Sequence, residues 1–340
     1  MNTKTLSAVI AALTATITLA ACGGSSSGAP GDTTREPTVT TVPSTSLAPR
    51  ETAQVPTTTI GSPTTVAARV IDPDPTTTTV SSTTIARPTT VVDEFVPVNG
   101  GRLHLHCDGA GATTVVLIAG FSAGTDSWAA IEPTVAETTR VCAYDRFGNG
   151  ASDAPPATQT FATEAADLHT LLQLAGEPGP YVIVGHSFGG AEAVTFASMF
   201  PTEVRGLLLL DASPPAWNTA ICAVPDDGSD AARVFQALCV QQSTPANNVE
   251  HLDAPTAFAQ VATITSLTDL PMIVATADHH AYAGLAASEE ARLNDVWNAG
   301  QAHWLSLVPS AQLVSVDNTG HNIQLDRPEV VLDMIHELLE

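Results

Sequence analysis

The chain has 340 residues and a formal net charge of −23, with 35 Asp and Glu against 12 Lys and Arg. Lys4 is its only lysine, and a chain so acidic offers no basic patch for nucleic acid. The length suits one large domain or two small ones, and the acidity bears on solubility and association rather than on fold.

From the N-terminus, Lys4 precedes an alanine-rich apolar run from Leu6 to Leu19. The run is too short and too weakly apolar for a comfortable membrane span. It ends in Leu19-Ala20-Ala21-Cys22, small residues directly ahead of a cysteine, which is the pattern of an export signal. These four residues resemble the lipobox of bacterial lipoproteins. The resemblance implies a signal peptide over residues 1–21 and a diacylglycerol anchor on Cys22, with the protein on the extracytoplasmic side of the cell membrane. A soluble secreted chain is the alternative.

Residues 22–90 are dominated by Thr, Ser, Pro, Ala, Gly and Val. Such a segment buries too little apolar surface to offset its ordering entropy and is expected to be a disordered tether. Where its prolines enforce an extended helix it rises about 3.1 Å per residue, a reach on the order of 100–200 Å. Stalks of this composition are often O-glycosylated.

From residue 91 to residue 340 the texture is that of a folded domain. Arg102 to Cys107 alternates Leu103 and Leu105 with His104 and His106, as a half-buried strand does. Apolar runs at Thr114–Ala119, Val141–Tyr144, Tyr181–Val184, Leu207–Leu210, Met272–Ala275 and Leu313–Val316 read as buried strands. Phe161–Leu174, Ala191–Phe200 and Pro328–Leu339 read as helices. Strands alternating with helices predict a mostly parallel sheet covered on both faces. Functional groups in such sheets sit at the carboxyl ends of the strands. Residues 212–270 break the rhythm, with helical stretches near Ala231–Val240 and Pro255–Thr263, and read as a small cap inserted over that edge.

Gly185-His186-Ser187-Phe188-Gly189 matches G-x-S-x-G, with an apolar strand before it and a helical pattern after it. In a nucleophile elbow the serine occupies a strained strand-to-helix turn, and glycines stand where a side chain would clash. Ser187 is therefore the candidate nucleophile, and the backbone N–H of Phe188 one oxyanion donor. A serine hydroxyl needs a base. His321, just after the last strand and before the terminal helix, is the candidate, whereas His186 is expected to be turned away from the site. His279 and His280 are adjacent on a loop without Cys, Asp or His partners at ligand spacing, so no metal is expected there. No cofactor is expected either.

The strings Val141-Cys142-Ala143-Tyr144-Asp145-Arg146, Gly185-His186-Ser187-Phe188-Gly189-Gly190 and Gly320-His321-Asn322-Ile323-Gln324 resemble motifs of the α/β-hydrolase superfamily. The likeness runs over about 240 residues from Val98. It implies the α/β-hydrolase fold, α/β in class, with an eight-stranded, mostly parallel sheet, helices on both faces and a small cap. By resemblance the second oxyanion donor is Phe121, in the loop after Thr114–Ala119. The chain departs from the usual pattern in having Ala119 where a His often precedes the glycine. Two aspartates at strand ends are candidates for the acid that orients the base. Asp278 stands at the commoner position in this fold. Asp211 stands at an alternative position that relatives with the Tyr-Asp-Arg string often use, and it is preferred. Asp145 is expected to be structural.

If Cys22 carries lipid, Cys107, Cys142, Cys222 and Cys239 remain, an even number in an exported chain, which reads as two disulfides. The strand order that the fold implies sets the second strand beside the fourth, pairing Cys107 with Cys142. Cys222 and Cys239 both fall in the cap and are expected to pair there.

Function divides three ways at this point. The first reading is a carboxylesterase or lipase-like enzyme acting on a small-molecule or lipid ester through an acyl-enzyme. The second is an acyltransferase or peptidase using the same triad. The third is a binding protein that keeps the fold without turnover. A serine nucleophile excludes epoxide hydrolysis and dehalogenation, which need a carboxylate attacking carbon. Phe121, Phe188, Trp128 and Trp217 are candidates for lining an apolar pocket.

Overall fold

The computed structural model describes residues 90–278 and 280–340. Cys22, the segment read as a signal peptide, nearly all of the segment read as a tether, and His279 lie outside the described residues. Among the described residues there are eight strands: β1 (Val92–Val98), β2 (Gly101–Asp108), β3 (Thr114–Ile118), β4 (Arg140–Asp145), β5 (Tyr181–His186), β6 (Val204–Leu210), β7 (Met272–Ala277) and β8 (Gln312–Val316). They form one sheet in the order β1-β2-β4-β3-β5-β6-β7-β8. The pairs β1–β2 and β2–β4 are antiparallel and all others are parallel.

The period of two decides which side chain enters which face. On β3, Val116 and Ile118 join one hydrophobic cluster while Val115 and Leu117 join the other. On β5, Tyr181 and Ile183 face the first cluster and Val182 and Val184 the second. Both faces are covered, so these central strands are apolar throughout, as buried parallel strands must be. β1 lacks this signature. Asp93, Glu94 and Phe95 are all exposed and Pro97 interrupts it, so its sequence does not announce a strand.

Helices α1 (Glu132–Ala136), α2 (Phe161–Leu174) and α3 (Phe188–Met199) follow β3, β4 and β5. Thr160 caps α2, its hydroxyl accepting from the Thr163 N–H while the Thr163 hydroxyl accepts from the Thr160 N–H, so two otherwise unmatched amides are satisfied. Three helices lie between β6 and β7: α4 (Trp217–Cys222), α5 (Asp230–Ser243) and α6 (Ala254–Val261). The sequence pattern marks α5 and α6 but not the six-residue α4. This insertion meets the carboxyl edge of the sheet through Phe258, whose ring lies 5.1 Å from those of Phe161 and Phe188.

α7 (Ala287–Ser306) joins β7 to β8 and has no counterpart among the elements legible in the sequence. It buries Leu293, Trp297, Gly300, Gln301 and Trp304 as a narrow stripe on an otherwise polar helix. Gly300 is required by close approach, since a Cβ there would stand 2.0 Å from the Pro214 Cβ. After β8, α8 (Ile323–Asp326) leads into α9 (Pro328–Leu339). Val331, Met334, Ile335 and Leu338 pack α9 onto the second face at helical spacing. Among the described residues, no helix is long and apolar enough to cross a membrane.

Cys107 and Cys142 are register partners across β2 and β4, with Cα atoms 4.0 Å apart, and are bonded. Cys222 and Cys239 are bonded between α4 and α5, with Cα atoms 4.9 Å apart. The first bond closes a loop of 35 residues. Replacing Cys107 and Cys142 together by serine is expected to lower stability by about 3–4 kcal/mol on the chain-entropy account, read as the midpoint of urea unfolding. A midpoint equal to that of the wild type would show that the bond contributes nothing in solution.

Candidate active site

β5 ends at His186, and the chain turns sharply at Ser187 (φ +56°, ψ −121°) before α3 begins at Phe188. A non-glycine residue in that region of backbone space costs on the order of 1–3 kcal/mol. The surroundings hold it there. The Ser187 N–H donates to the Leu210 carbonyl at 3.1 Å, and its own carbonyl accepts from Gly190 and Ser213 N–H groups at 3.0 Å each. The flanking glycines are obligatory. A Cβ on Gly185 would stand 2.3 Å from the Gly189 carbonyl oxygen. One on Gly189 would stand 2.4 Å from the carbonyl oxygens of Ile118 and Ala119.

Ser187 Oγ lies 2.9 Å from His321 Nε2, and His321 Nδ1 lies 2.7 Å from Asp211 Oδ2. An ionised carboxylate only accepts, so Nδ1 carries the proton and Nε2 is left to accept from the serine hydroxyl. Asp278, the other candidate acid, is exposed and accepts instead from the Asn318 N–H at 3.2 Å. A second hydroxyl, Ser213 Oγ, lies 3.2 Å from Ser187 Oγ.

Asp211 is fully buried, with φ +45°, and five donors converge on its carboxylate. Oδ1 accepts from Trp297 Nε1 at 3.0 Å, Thr276 Oγ1 at 3.1 Å and the Ala277 N–H at 3.2 Å. Oδ2 accepts from His321 and, also at 2.7 Å, from His280 Nε2. Burial by itself pushes this carboxyl up, but the hydrogen bonds from His280 and His321 outweigh it and hold the group below the ordinary carboxylate range. The group is therefore an anion at neutral pH.

His280 and Trp297 are functional neighbours that sequence reasoning misses. The expectation that His280 lacks an Asp or His partner is overturned in space, because Asp211 and His321 both converge on it. Their three ligand atoms lie within 4.8 Å of one another. Both imidazole nitrogens are spent as donors to Asp211 Oδ2, which leaves no lone pair at that point for a metal ion. For Trp297 a signal existed in the Leu293, Trp297, Gly300, Trp304 spacing.

The loop after β3 carries Phe121, whose ring lies 5.1 Å from that of Phe188. The Phe188 N–H belongs to the first residue of α3 and has no preceding helical carbonyl to engage. Beneath the loop sits Arg146, 4 % exposed, which donates from Nη1 to the Ala119 carbonyl at 2.6 Å and from Nη2 to the Gly120 carbonyl. Glu250, from the insertion, accepts from the Ser122 N–H at 2.6 Å, from Asn149 Nδ2 at 2.6 Å and from Arg146 at 3.1 Å. Burial opposes the Arg146 charge, but the carboxylates of Glu250, Glu164 and Glu192 more than restore it. One guanidinium faces three buried carboxyls. Burial accordingly raises Glu164 well above the ordinary range and Glu192 to about 7. Asp145 is structural here, accepting from the Thr125 and Ala151 N–H groups and from His104 Nδ1.

Of the four aromatic residues considered for a pocket, Trp128 is fully buried in the cluster on the second face, away from the serine. Trp217 lies 4.9 Å edge-on from Trp297 and 6.2 Å from the Tyr282 ring, on the Asp211 side of the site.

Residues 113–225 match a family model described as the alpha/beta hydrolase fold. YqjL of Bacillus subtilis, itself uncharacterised, is 22% identical over 244 residues, covering 71% of this chain and 89% of that one. Lipase LipV of Mycobacterium tuberculosis is 34% identical over 141 residues. That match covers 41% of this chain and 47% of the lipase, so this chain spans under half of that relative. Among solved structures, Est816, described as an N-acyl homoserine lactone degrading enzyme, superposes with a TM-score of 0.51 at 19% identity, covering 72% of this chain and 99% of that one. The strand order, the family match and the structural likeness agree on the α/β-hydrolase fold.

His186 is not a spectator. Its Nε2–H donates to the carbonyl of His321 at 2.8 Å, so the residue before the elbow pins the loop that carries the candidate base. Burial, and next the neighbouring His321, lower its pKa from 6.5 to about 3. The unfolded chain therefore takes up a proton near pH 6.5 while the native ring stays neutral. The stability that this neutral ring contributes is present above pH 6.5 and is lost as pH falls toward 3. Between pH 6.5 and 5 the loss is expected to be about 2 kcal/mol, from roughly 1.4 kcal/mol per pH unit. His186→Gln, which cannot titrate, should lack that slope in urea unfolding at the two pH values. An identical slope in the variant would refute this account of His186.

Proposed function

We propose that this chain, an α/β-hydrolase by fold, is a serine hydrolase that cleaves acyl esters through a Ser187–His321–Asp211 triad and an acyl-enzyme intermediate. The observation that carries the reading is the continuous hydrogen-bonded path from Ser187 Oγ through His321 to the buried Asp211 carboxylate, at 2.9 and 2.7 Å. In this reading His321 Nε2 takes the Ser187 proton as Oγ attacks the ester carbonyl carbon. The imidazolium that forms is stabilised by Asp211, which stays ionised. Charge developing on the carbonyl oxygen is met by the N–H groups of Phe121 and Phe188. The bond to the leaving alcohol then breaks, and His321 Nε2 returns the proton to it. Water repeats the sequence on the acyl-serine and releases the acid.

The strained serine and the dense support of Asp211 favour this reading over a binding role, because ligand binding alone gives no reason to store that strain or to bury that charge. The lipase among the relatives supports an ester as substrate. We extend the reading to location: the string Leu19-Ala20-Ala21-Cys22 supports export and a lipid anchor at Cys22, with the following polar segment as tether.

Ser187→Ala is expected to lower hydrolysis of a short-chain nitrophenyl ester on the order of 10³-fold or more and to abolish fluorophosphonate labelling, because triad members act as a unit. Activity within about tenfold of the wild type would end the assignment. Asp211→Asn should cost roughly 10⁴-fold in turnover, since the histidine then adopts the wrong tautomer. Asp278→Asn should stay close to the wild type, and a large loss there instead would move the acid to Asp278. Cys22→Ser should shift the exported protein from the detergent phase to the aqueous phase. Persistent partition into detergent would require another anchor.

A further inference from the structure

We infer that His280 is a positioning residue of this site, a second imidazole that shares the triad's carboxylate with His321; the inference rests on the serine-hydrolase reading above. Asp211 Oδ2 stands 2.7 Å from His321 Nδ1 and 2.7 Å from His280 Nε2. Both contacts are donations into one oxygen, because an ionised carboxylate has no proton to give. The His280 side chain is only 8% exposed, and its ring lies 4.9 Å from that of Trp297 and 6.5 Å from that of His321. Its backbone is held as well, since Asn294 Nδ2 donates to the His280 carbonyl at 3.3 Å. α7 thus supplies both the Trp297 donor to Oδ1 and the clamp on the residue that serves Oδ2.

The consequence for the reaction is geometric. With His280 in place, Oδ2 accepts from two directions and the carboxylate cannot rotate away from His321 without breaking a second charge-assisted bond. The base is thereby held in the tautomer that leaves Nε2 free for Ser187.

The experiment uses the full chain as wild type, His280→Gln and His280→Phe. It records the rate of Ser187 labelling by a fluorophosphonate, and kcat and KM for a nitrophenyl ester, from acid to mildly alkaline pH. His280→Phe removes the donor and should lower kcat on the order of ten- to a hundredfold with KM little changed, the range seen when outer partners that orient a metal-bound histidine are lost. His280→Gln keeps an N–H donor for Oδ2 and should recover most of the turnover lost in His280→Phe. Equal losses of kcat in both variants mean a packing role and overturn the inference. So does wild-type kcat in both. Should His280→Phe fail to fold, His280→Leu takes its place as the variant without a donor. A wild type that is not labelled at Ser187 overturns the hydrolase reading and this inference with it; a labelled wild type with no rescue by His280→Gln overturns this inference only.

Discussion

The carboxylate of Asp211 has no contact with solvent, and the arrangement around the site follows from that condition. A buried anion is tolerated only when donors replace the water it has lost. Here they come from four separate parts of the chain. Thr276 and Ala277 lie on β7, His280 on the loop after it, Trp297 on α7, and His321 after β8. The β7–β8 crossover and the segment after β8 are therefore both tied to the centre of the sheet by one charge. Removing that charge while keeping the donors would leave five polar groups facing nothing.

The sheet delivers Ser187 and Asp211 to the same height. β5 and β6 are in parallel register with His186 opposite Leu210, so the residues that follow, Ser187 and Asp211, emerge side by side at the carboxyl edge. Both occupy positive φ, at +56° and +45°, because both strands must turn abruptly there. The Ser187 N–H still reaches back to the Leu210 carbonyl, which carries the sheet's hydrogen bonding one step past the last paired residue. His186 closes the third side by binding the backbone of His321.

On the opposite side of the serine, a second buried charge sets the loop that bears Phe121. Arg146 donates to two consecutive carbonyls of that loop, and Glu250 accepts from the next amide but one. Glu250 belongs to the insertion between β6 and β7, so the inserted helices and the loop cannot move independently without exposing an unpaired guanidinium. The packing of Phe258 against Phe161 and Phe188 ties the same insertion to the start of α3. Geometry at the serine thus depends on an element that is outside the sheet altogether.

Local pattern carried much of this in the sequence. A parallel sheet announces itself through continuous apolar runs, and seven of the eight strands have one or an alternating equivalent. The elbow is written in contiguous residues because its glycines answer clashes within a few positions, and His321 is marked by its place between the last strand and the terminal helix. β1 was illegible because its outward residues are charged and proline-broken, and α7 because its buried stripe is a few residues wide on a polar helix. The preference for Asp211 over Asp278 rested on resemblance alone, since each follows an apolar strand and one-dimensional spacing does not say which faces His321. Only the tertiary structure brings His280, Trp297 and Glu250 to the site, from 69, 86 and 128 residues away from the groups they bind. His280 and Glu250, which act by filling the valence of a distant buried charge, leave no periodicity and no motif, because their positions are fixed by that charge and not by their neighbours in the chain.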